Sequence, residues 1–367
     1  MNIVYVIPLE MNVYSGVLQK VRQQIHEWEN QGNFVKCYYI SNSSLNKKIH
    51  LYENEYIISY NVLAKFKMGR TLTRALAIRH LRRKLNKNEI DVLYYRYVFW
   101  FPGICGFLKK YNSIIEMNSH DINEFEAKSW LLKLLYKPIR RMILSSSNAA
   151  ISVSEDIQCS LCNYIKNNYV IPNGFEFNKM ETNRVQKNRN KRIVFVSTPG
   201  QYWQGIDIMI SIMKKLNDYK LDIVGWTYDD YQRYYSDFVP GDNVFFHGYM
   251  QRDELEMILK SSGYAFNALA MYRKGMNYNS ALKTAEYLNQ NLPIISGYIE
   301  TGLKTDAILT INTQNEVDSY IHKIESFLND WSDKDISLSN IRSQIGIECT
   351  ESARIEVFKK SLDKHGK

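Results

Sequence analysis

The sequence predicts an α/β fold built from two Rossmann-like, doubly wound domains facing a cleft. Three observations carry this. Strand-like apolar runs alternate with helix-like amphipathic runs along nearly the whole chain. The alternation breaks once, at the polar stretch "NKMETNRVQKNRNKR" (178–192), and then restarts. At 367 residues the chain is long enough for two cores of ordinary domain size.

The first half opens on the strand "NIVYVI". The following segment, "GVLQKVRQQIHEWEN", sets Val17, Leu18, Val21, Ile25 and Trp28 on one helical stripe. "KCYYIS" reads as a second strand, and "IDVLYYRY", "SIIEMNS", "AAISVS" and "NYVIPNG" as later strands of the same sheet. The second half gives "RIVFVS", helix "GIDIMISIMKKL", "KLDIVG", "NVFFHG", helix "RDELEMILKSS", "YAFNAL", helix "NSALKTAEYL", "LPIIS" and "ILTI", with a helical tail from about residue 334. The expected organisation is therefore an N-terminal domain over 1–175, a linker over 176–192 and a second domain over 193–340. Residues 341–367 form a C-terminal helix with the option of returning to the first domain. Ligands of such sheets bind beyond the carboxyl ends of the strands.

Composition narrows the partners. A formal charge of +9 and a pI near 9.0 call for an anionic one: nucleic acid, anionic lipid or a phosphorylated small molecule. The charge is concentrated. Residues 65–87, "KFKMGRTLTRALAIRHLRRKLNK", carry nine Lys or Arg and no acid, with Leu72, Leu76, Leu81 and Leu85 among them. With "WLLKLLYKPIRRMIL" (130–144), this segment suits an anionic membrane surface; a solvated helix packed on its own domain is the plainer alternative. Nucleic acid is disfavoured, since the basic residues cluster in one segment and no recognised binding module is present. No window reaches the length of a transmembrane helix, and the N-terminus lacks a signal peptide's basic leader. Five scattered cysteines fit a reducing cytoplasm. Cys159 and Cys162 form a C-x-x-C, but no second pair or metal-spaced histidine accompanies them, so no zinc is expected. Asp229-Asp230 reads as a solvated acidic pair.

The most informative stretch is "NSALKTAEYLNQNLPII" (279–295). Ala281, Leu282, Ala285 and Leu288 recur at helical spacing, and Lys283 and Glu286, three apart, share a face. A helix N-terminus presents free N–H groups and a positive dipole end to an anion, and Lys283 adds a full charge beside it. A surface helix carrying an i,i+3 ion pair is the plain alternative.

The order of motifs resembles a retaining glycosyltransferase of the GT-B fold, most similar to glycosyltransferase family four (glycosyl transferases group 1). Ser280, Ala281, Leu282, Lys283, Glu286, Tyr287 and Pro293 match the family's "S-P-L-K-x-x-E-Y" donor helix and the strand after it. The resemblance implies that Lys283 and the helix start hold a diphosphate and that Glu286 accepts from the ribose hydroxyls. "VFFHGYMQRDEL" (244–255) is similar to the segment against the nucleobase, with Gly248 allowing close approach and the main chain of Tyr249 and Met250 at the base edge. "STPGQYWQGIDIMI" (197–210) is similar to the loop near the phosphates, with Gly200 and Gly205. In the first half, "YSGVLQKV" matches the glycine-bearing loop through Ser15 and Gly16. "IIEMNSHDINEF" (114–125) offers His120 beside the donor sugar. "ISVSEDI" with "VIPNGFE" implies Asn173 and Gly174 at the interdomain cleft.

Two departures stand out. Many members carry an arginine and a lysine in the loop where this chain reads Trp203-Gln204-Gly205; Arg273 and Lys274 are the candidate substitutes. Many also carry a second glutamate where Tyr278 stands. The implied reaction moves a sugar from a UDP- or GDP-sugar to a hydroxyl of a glycan or lipid-linked acceptor, with retention. His120, Lys283 and Glu286 are the expected catalytic residues, and no cofactor or metal is expected, since no D-x-D motif suited to Mg²⁺ stands in the expected place. The implied setting is bacterial surface polysaccharide synthesis (lipopolysaccharide or capsule), in the cytoplasm or at the inner leaflet of the plasma membrane. A nucleotide-sugar epimerase of the same fold, or a catalytically silent partner subunit, would share these features.

Overall fold

The computed structural model describes residues 1–8, 16–41, 50–60, 68–126, 130–177 and 189–363. Ser15, residues 65–67 of the basic segment and residues 178–188 of the expected linker lie outside the described residues. The chain divides into two compact units, Met1–Gly174 with Ile347–Lys367, and Phe175–Gly346.

The first unit holds a seven-stranded parallel sheet of β1 (Asn2–Ile7), β2 (Phe34–Ile40), β3 (Glu55–Ile58), β4 (Val92–Arg96), β5 (Ser113–Met117), β6 (Ala149–Ser152) and β7 (Asn168–Val170). Its strand order is β3-β2-β1-β4-β5-β6-β7. Central strands of such a sheet are covered on both faces, which is why β4 and β5 are buried end to end. The helices are α1 (Gly16–Asn30), α2 (Gly69–Lys84), α3 (Ile104–Leu108), α4 (Asp121–Glu126), α5 (Trp130–Leu144) and α6 (Glu155–Leu161). Tyr5, Trp28 and Tyr94 form an aromatic core with ring centroids 4.9 to 5.7 Å apart.

The second unit holds a six-stranded parallel sheet of β8 (Arg192–Val196), β9 (Lys220–Val224), β10 (Val244–Gly248), β11 (Tyr264–Phe266), β13 (Ile294–Ser296) and β15 (Ile308–Thr310). β12 (Tyr278–Asn279) and β14 (Ile299–Glu300) pair beside it. The order is β10-β9-β8-β11-β13-β15. Its helices are α7 (Ile206–Met213), α8 (Tyr228–Tyr235), α9 (Arg252–Ser261), α10 (Leu282–Asn289), α11 (Ile321–Asp330) and α12 (Leu338–Ile345). The sequence reading passes over α8. There Asp230 closes a capping box, accepting from the Thr227 amide at 3.2 Å while its own amide donates to Thr227 Oγ1 at 3.0 Å.

The expected tail divides in two. α12 belongs to the second unit, whereas α13 (Ile347–Asp363) belongs to the first. Phe358 packs on Trp28 at 5.5 Å, and Trp28 Nε1 donates to Glu351 Oε2 at 2.9 Å. Among the described residues no helix is long and apolar enough to cross a membrane.

Candidate functional site

In each sheet the strand order turns back once, between β1 and β4 in the first unit and between β8 and β11 in the second. Helices on either side of such a point leave in opposite directions, and a crevice opens beyond the strand ends.

In the second unit, the loop after β8 runs along the chain that leaves β11. The Leu269 amide donates to Gln204 O at 3.0 Å and the Ala270 amide to Trp203 O at 3.2 Å. A side chain at Gly205 would be 3.0 Å from the Ala270 nitrogen, and φ there is +75°. Glycine is therefore required by the close approach as well as by the left-handed backbone. α10 is fastened to β8 by the Val196 amide, which donates to the Tyr287 hydroxyl at 2.9 Å. Lys283 thereby comes to the carboxyl end of β8. Its Nζ donates to Val196 O at 3.3 Å and Gln204 Oε1 at 3.2 Å, and lies 4.3 Å from the centre of the Phe195 ring. Burial pushes this ammonium down to about 7, with the Glu300 carboxyl opposing the change.

The start of α10 is partly capped. Buried Glu300, from β14, accepts from the Ala281 amide at 3.0 Å and from Thr284 Oγ1 at 2.7 Å. Burial raises its carboxyl to about 8 despite the Thr284 and Ala281 hydrogen bonds that favour the ionised form. Of the amides expected to be free, that of Ala281 is therefore taken. Those of Leu282 and Lys283 meet no acceptor among the described residues. Ser280 is buried just ahead of them. One turn into the helix, Glu286 Oε1 accepts from Arg252 Nη1, and Arg252 Nε donates to Glu256 Oε1 at 3.0 Å.

The remaining second-unit positions are placed as follows. Gly248 ends β10 and Tyr249 after it is exposed. Gly200 lies in the loop after β8, where a Cβ would stand 3.1 Å from the Tyr234 hydroxyl. Arg273, the candidate replacement for the missing loop cations, is committed elsewhere. It grips both Asp207 carboxylate oxygens at 3.0 and 2.6 Å and donates to Tyr202 O at 3.0 Å. Lys274 is buried, 4.7 Å from the Trp203 ring centre. Tyr278 is paired with Ile299 in the small sheet.

In the first unit, His120 follows β5 and is half-buried. Its Nδ1 accepts from the Asn123 amide at 3.4 Å, an arrangement that leaves the ring proton on Nε2. The same unit holds a buried charged cluster that the sequence reading passes over. Glu116 binds Lys20 Nζ at 3.0 Å, Arg96 Nη1 at 3.1 Å and the Tyr5 hydroxyl at 2.7 Å. Lys20 also donates to Asn118 Oδ1 at 2.7 Å. The three cations, first Lys20 and then Arg96 and Arg354, hold the Glu116 carboxyl far below its ordinary value against burial. The signal was present: a glutamate inside the apolar strand "SIIEM" needs buried partners. Gly16 is the exposed first residue of α1. Asn173 is half-buried next to Gly174. The structure gives Gly174 a packing role. A Cβ there would meet Thr350 Oγ1 at 2.1 Å and the Ile347 Cα at 3.1 Å, so only glycine lets α13 start where it does.

The basic segment folds as α2, with Leu81 and Leu85 buried and Met68, Leu72 and Leu76 exposed. Those three recur every fourth residue, and exposed Arg79 and Arg83 continue the same stripe.

No family model matches the chain, and no curated protein matches it either. Solved structures do. Sucrose-phosphate synthase from Thermosynechococcus elongatus is similar at a TM-score of 0.73 and 13% identity, over 99% of this chain and 100% of that one. TarM is similar at 0.68 and 10%, over 97% and 98%. HepE from Anabaena, solved with UDP and glucose, is similar at 0.65 and 12%, over 98% and 100%. At these identities the likeness is one of fold: the chain has the two Rossmann-like domains of the GT-B fold.

Proposed function

We propose that the protein is a retaining glycosyltransferase of glycosyltransferase family four, taking its sugar from UDP or GDP. The reading rests on one observation. A buried lysine held by neutral acceptors and two amides that meet no acceptor among the described residues come together beyond β8, where the strand order turns back. An incoming diphosphate supplies the negative charge this point lacks. It restores full protonation of Lys283 and accepts from the Leu282 and Lys283 amides. Glu286, on the same helical face, accepts from the ribose. That structures of similar fold were solved with UDP and a sugar supports the choice of ligand.

Leaving-group stabilisation then dominates the chemistry. As the bond from the anomeric carbon to the phosphate oxygen loosens, negative charge gathers on the diphosphate, where Lys283 and the amides receive it. The acceptor hydroxyl attacks from the same face and passes its proton to the departing phosphate oxygen. His120, donating through Nε2, orients the sugar. Since the lysine and the amides supply the charge, no metal is needed. The second unit is the donor side and the first the acceptor side. The exposed stripe of α2 rests on an anionic membrane that presents a lipid-linked glycan acceptor, at the inner leaflet and in surface polysaccharide synthesis.

A thermal-shift screen against UDP- and GDP-sugars tests the reading, because a ligand that binds only the folded protein raises its melting temperature. A donor that stabilises the protein and is turned over with its anomeric configuration kept is the expected outcome. The absence of any shift across the panel overturns it.

A further inference from the structure

We propose that Arg252 is a positioning residue for Glu286, and that the two together set a preference for ribose over deoxyribose in the bound nucleotide; this rests on the reading of Glu286 just given. Glu286 is only 18% exposed, and Arg252 is its charged partner. The bond uses Oε1; Oε2 receives no hydrogen bond from any described residue. Arg252 is itself held. It is the first residue of α9, whose start is fixed by the Gln251 amide donating to Glu254 Oε2 at 2.9 Å. One turn further along, Glu256 grips its Nε at 3.0 Å. The guanidinium is a planar fork tied at both ends, one to α9 and the other to α10.

The consequence for Glu286 is geometric. A glutamate side chain has three torsions, and in a half-open setting its carboxylate samples several orientations. With Oε1 tied to a fixed guanidinium, the carboxylate plane is set. Oε2 and the second lone pair of Oε1 are left for other donors. A vicinal diol presents two O–H donors at a spacing that a carboxylate plane of fixed orientation can accept together. A deoxyribose presents one, so it gains little from the fixed plane. Arg252 lies in "GYMQRDEL", where the turn after β10 gives way to α9, and nothing in its sequence spacing connects it to Glu286. The fold alone joins them.

The test is calorimetric titration of UDP and GDP, each beside its 2′-deoxy analogue. The proteins are the full-length chain, Arg252→Met and Arg252→Lys, with melting temperatures confirming that all three fold. The loss of one of two hydrogen bonds to a charged acceptor predicts that the unaltered protein prefers the ribonucleotide by about tenfold or more. Arg252→Met is expected to weaken the ribonucleotide until the preference falls to about threefold or less, with the deoxy analogue little changed, and Arg252→Lys to restore part of it. A full ribose preference in Arg252→Met, or an equal loss for both analogues, refutes the positioning role. Tight binding without a ribose preference in the unaltered protein refutes the reading of Glu286. Binding of neither nucleotide refutes the nucleotide site itself.

Discussion

Replacing Glu300 with glutamine should make the protein more stable at pH 9 while leaving it nearly unchanged at pH 5. The carboxyl is buried at the start of α10 and raised from 4.5 to about 8. A group whose proton affinity rises on folding contributes stability that is fully present below its unfolded value. That stability is lost as the pH climbs through the folded value. The window is therefore about pH 4.5 to 8, and stability falls across it. At about 1.4 kcal/mol per pH unit, the separation amounts to an upper bound of about 5 kcal/mol. Water entry and local relaxation around the ionised side chain reduce this, so a gap of about 2–3 kcal/mol is the working expectation. Glutamine imitates the protonated acid: its oxygen accepts from the Ala281 amide and its NH₂ meets Thr284 Oγ1, two of the partners Glu300 has now. Lys283, lowered by burial, pulls the other way. Its contribution is lost as pH falls through about 7 and regained above, and in the glutamine protein it lacks the Glu300 charge that opposes the lowering. Urea unfolding of both from pH 5 to pH 9 reads the difference directly. A gap that is constant across this range would show that Glu300 is ionised throughout and that burial does not govern it.

Three further outcomes follow from the same geometry. Glu286→Ala should abolish donor binding, whereas His120→Ala should leave donor affinity intact and lower turnover by about a hundredfold or more, as loss of a positioned proton donor does; calorimetry beside a turnover assay separates the two. Gly174→Ala forces a methyl group onto Thr350 Oγ1 and the Ile347 backbone and should cost about 2 kcal/mol or more, read as a lower urea midpoint. Vesicles of anionic lipid should retain the protein at low salt and release it at high salt; Leu72→Gln with Arg79→Gln should weaken retention and leave neutral vesicles unaffected.

Much of the fold was legible because parallel α/β architecture writes itself locally. "NIVYVI", "RIVFVS" and "LPIIS" are apolar through and through, as strands covered on both faces must be. α10 was legible for the same reason: Lys283 and Glu286 interrupt an apolar helical pattern at one face. What pairs with what was not legible. Glu300 lies 16 residues beyond Thr284 in sequence, and Arg252 lies 34 before Glu286. Each meets its partner only because strand order folds the chain back. Arg273 misled for the same reason, since Asp207, which holds its charge, is brought to it by the turn before α7. α8 was missed because its tyrosines lack an apolar stripe that reads as helical, and its start depends on a side-chain cap.

The two strand-order reversals each carry a buried lysine, and comparing them shows which is placed to receive an anion. Burial lowers Lys20 to about 8 and Lys283 to about 7. Lys20, however, has a carboxylate on it: Glu116 is 3.0 Å away, and Asn118 takes another of its hydrogens. An anion arriving there would compete with a charge already in place and would leave Glu116 to Arg96 and Arg354. Among the described residues Lys283 donates only to neutral acceptors, a main-chain carbonyl and the Gln204 amide, and the Phe195 ring stands 4.3 Å away. Its nearest carboxyl, Glu300, is spent on the Ala281 amide and Thr284, and is itself raised to about 8. A buried ammonium without a paired carboxylate is costly to keep charged, so it gains most from an anion that comes and goes. The lysine of the first unit is thus a structural cation, and that of the second is the one whose charge waits on a ligand.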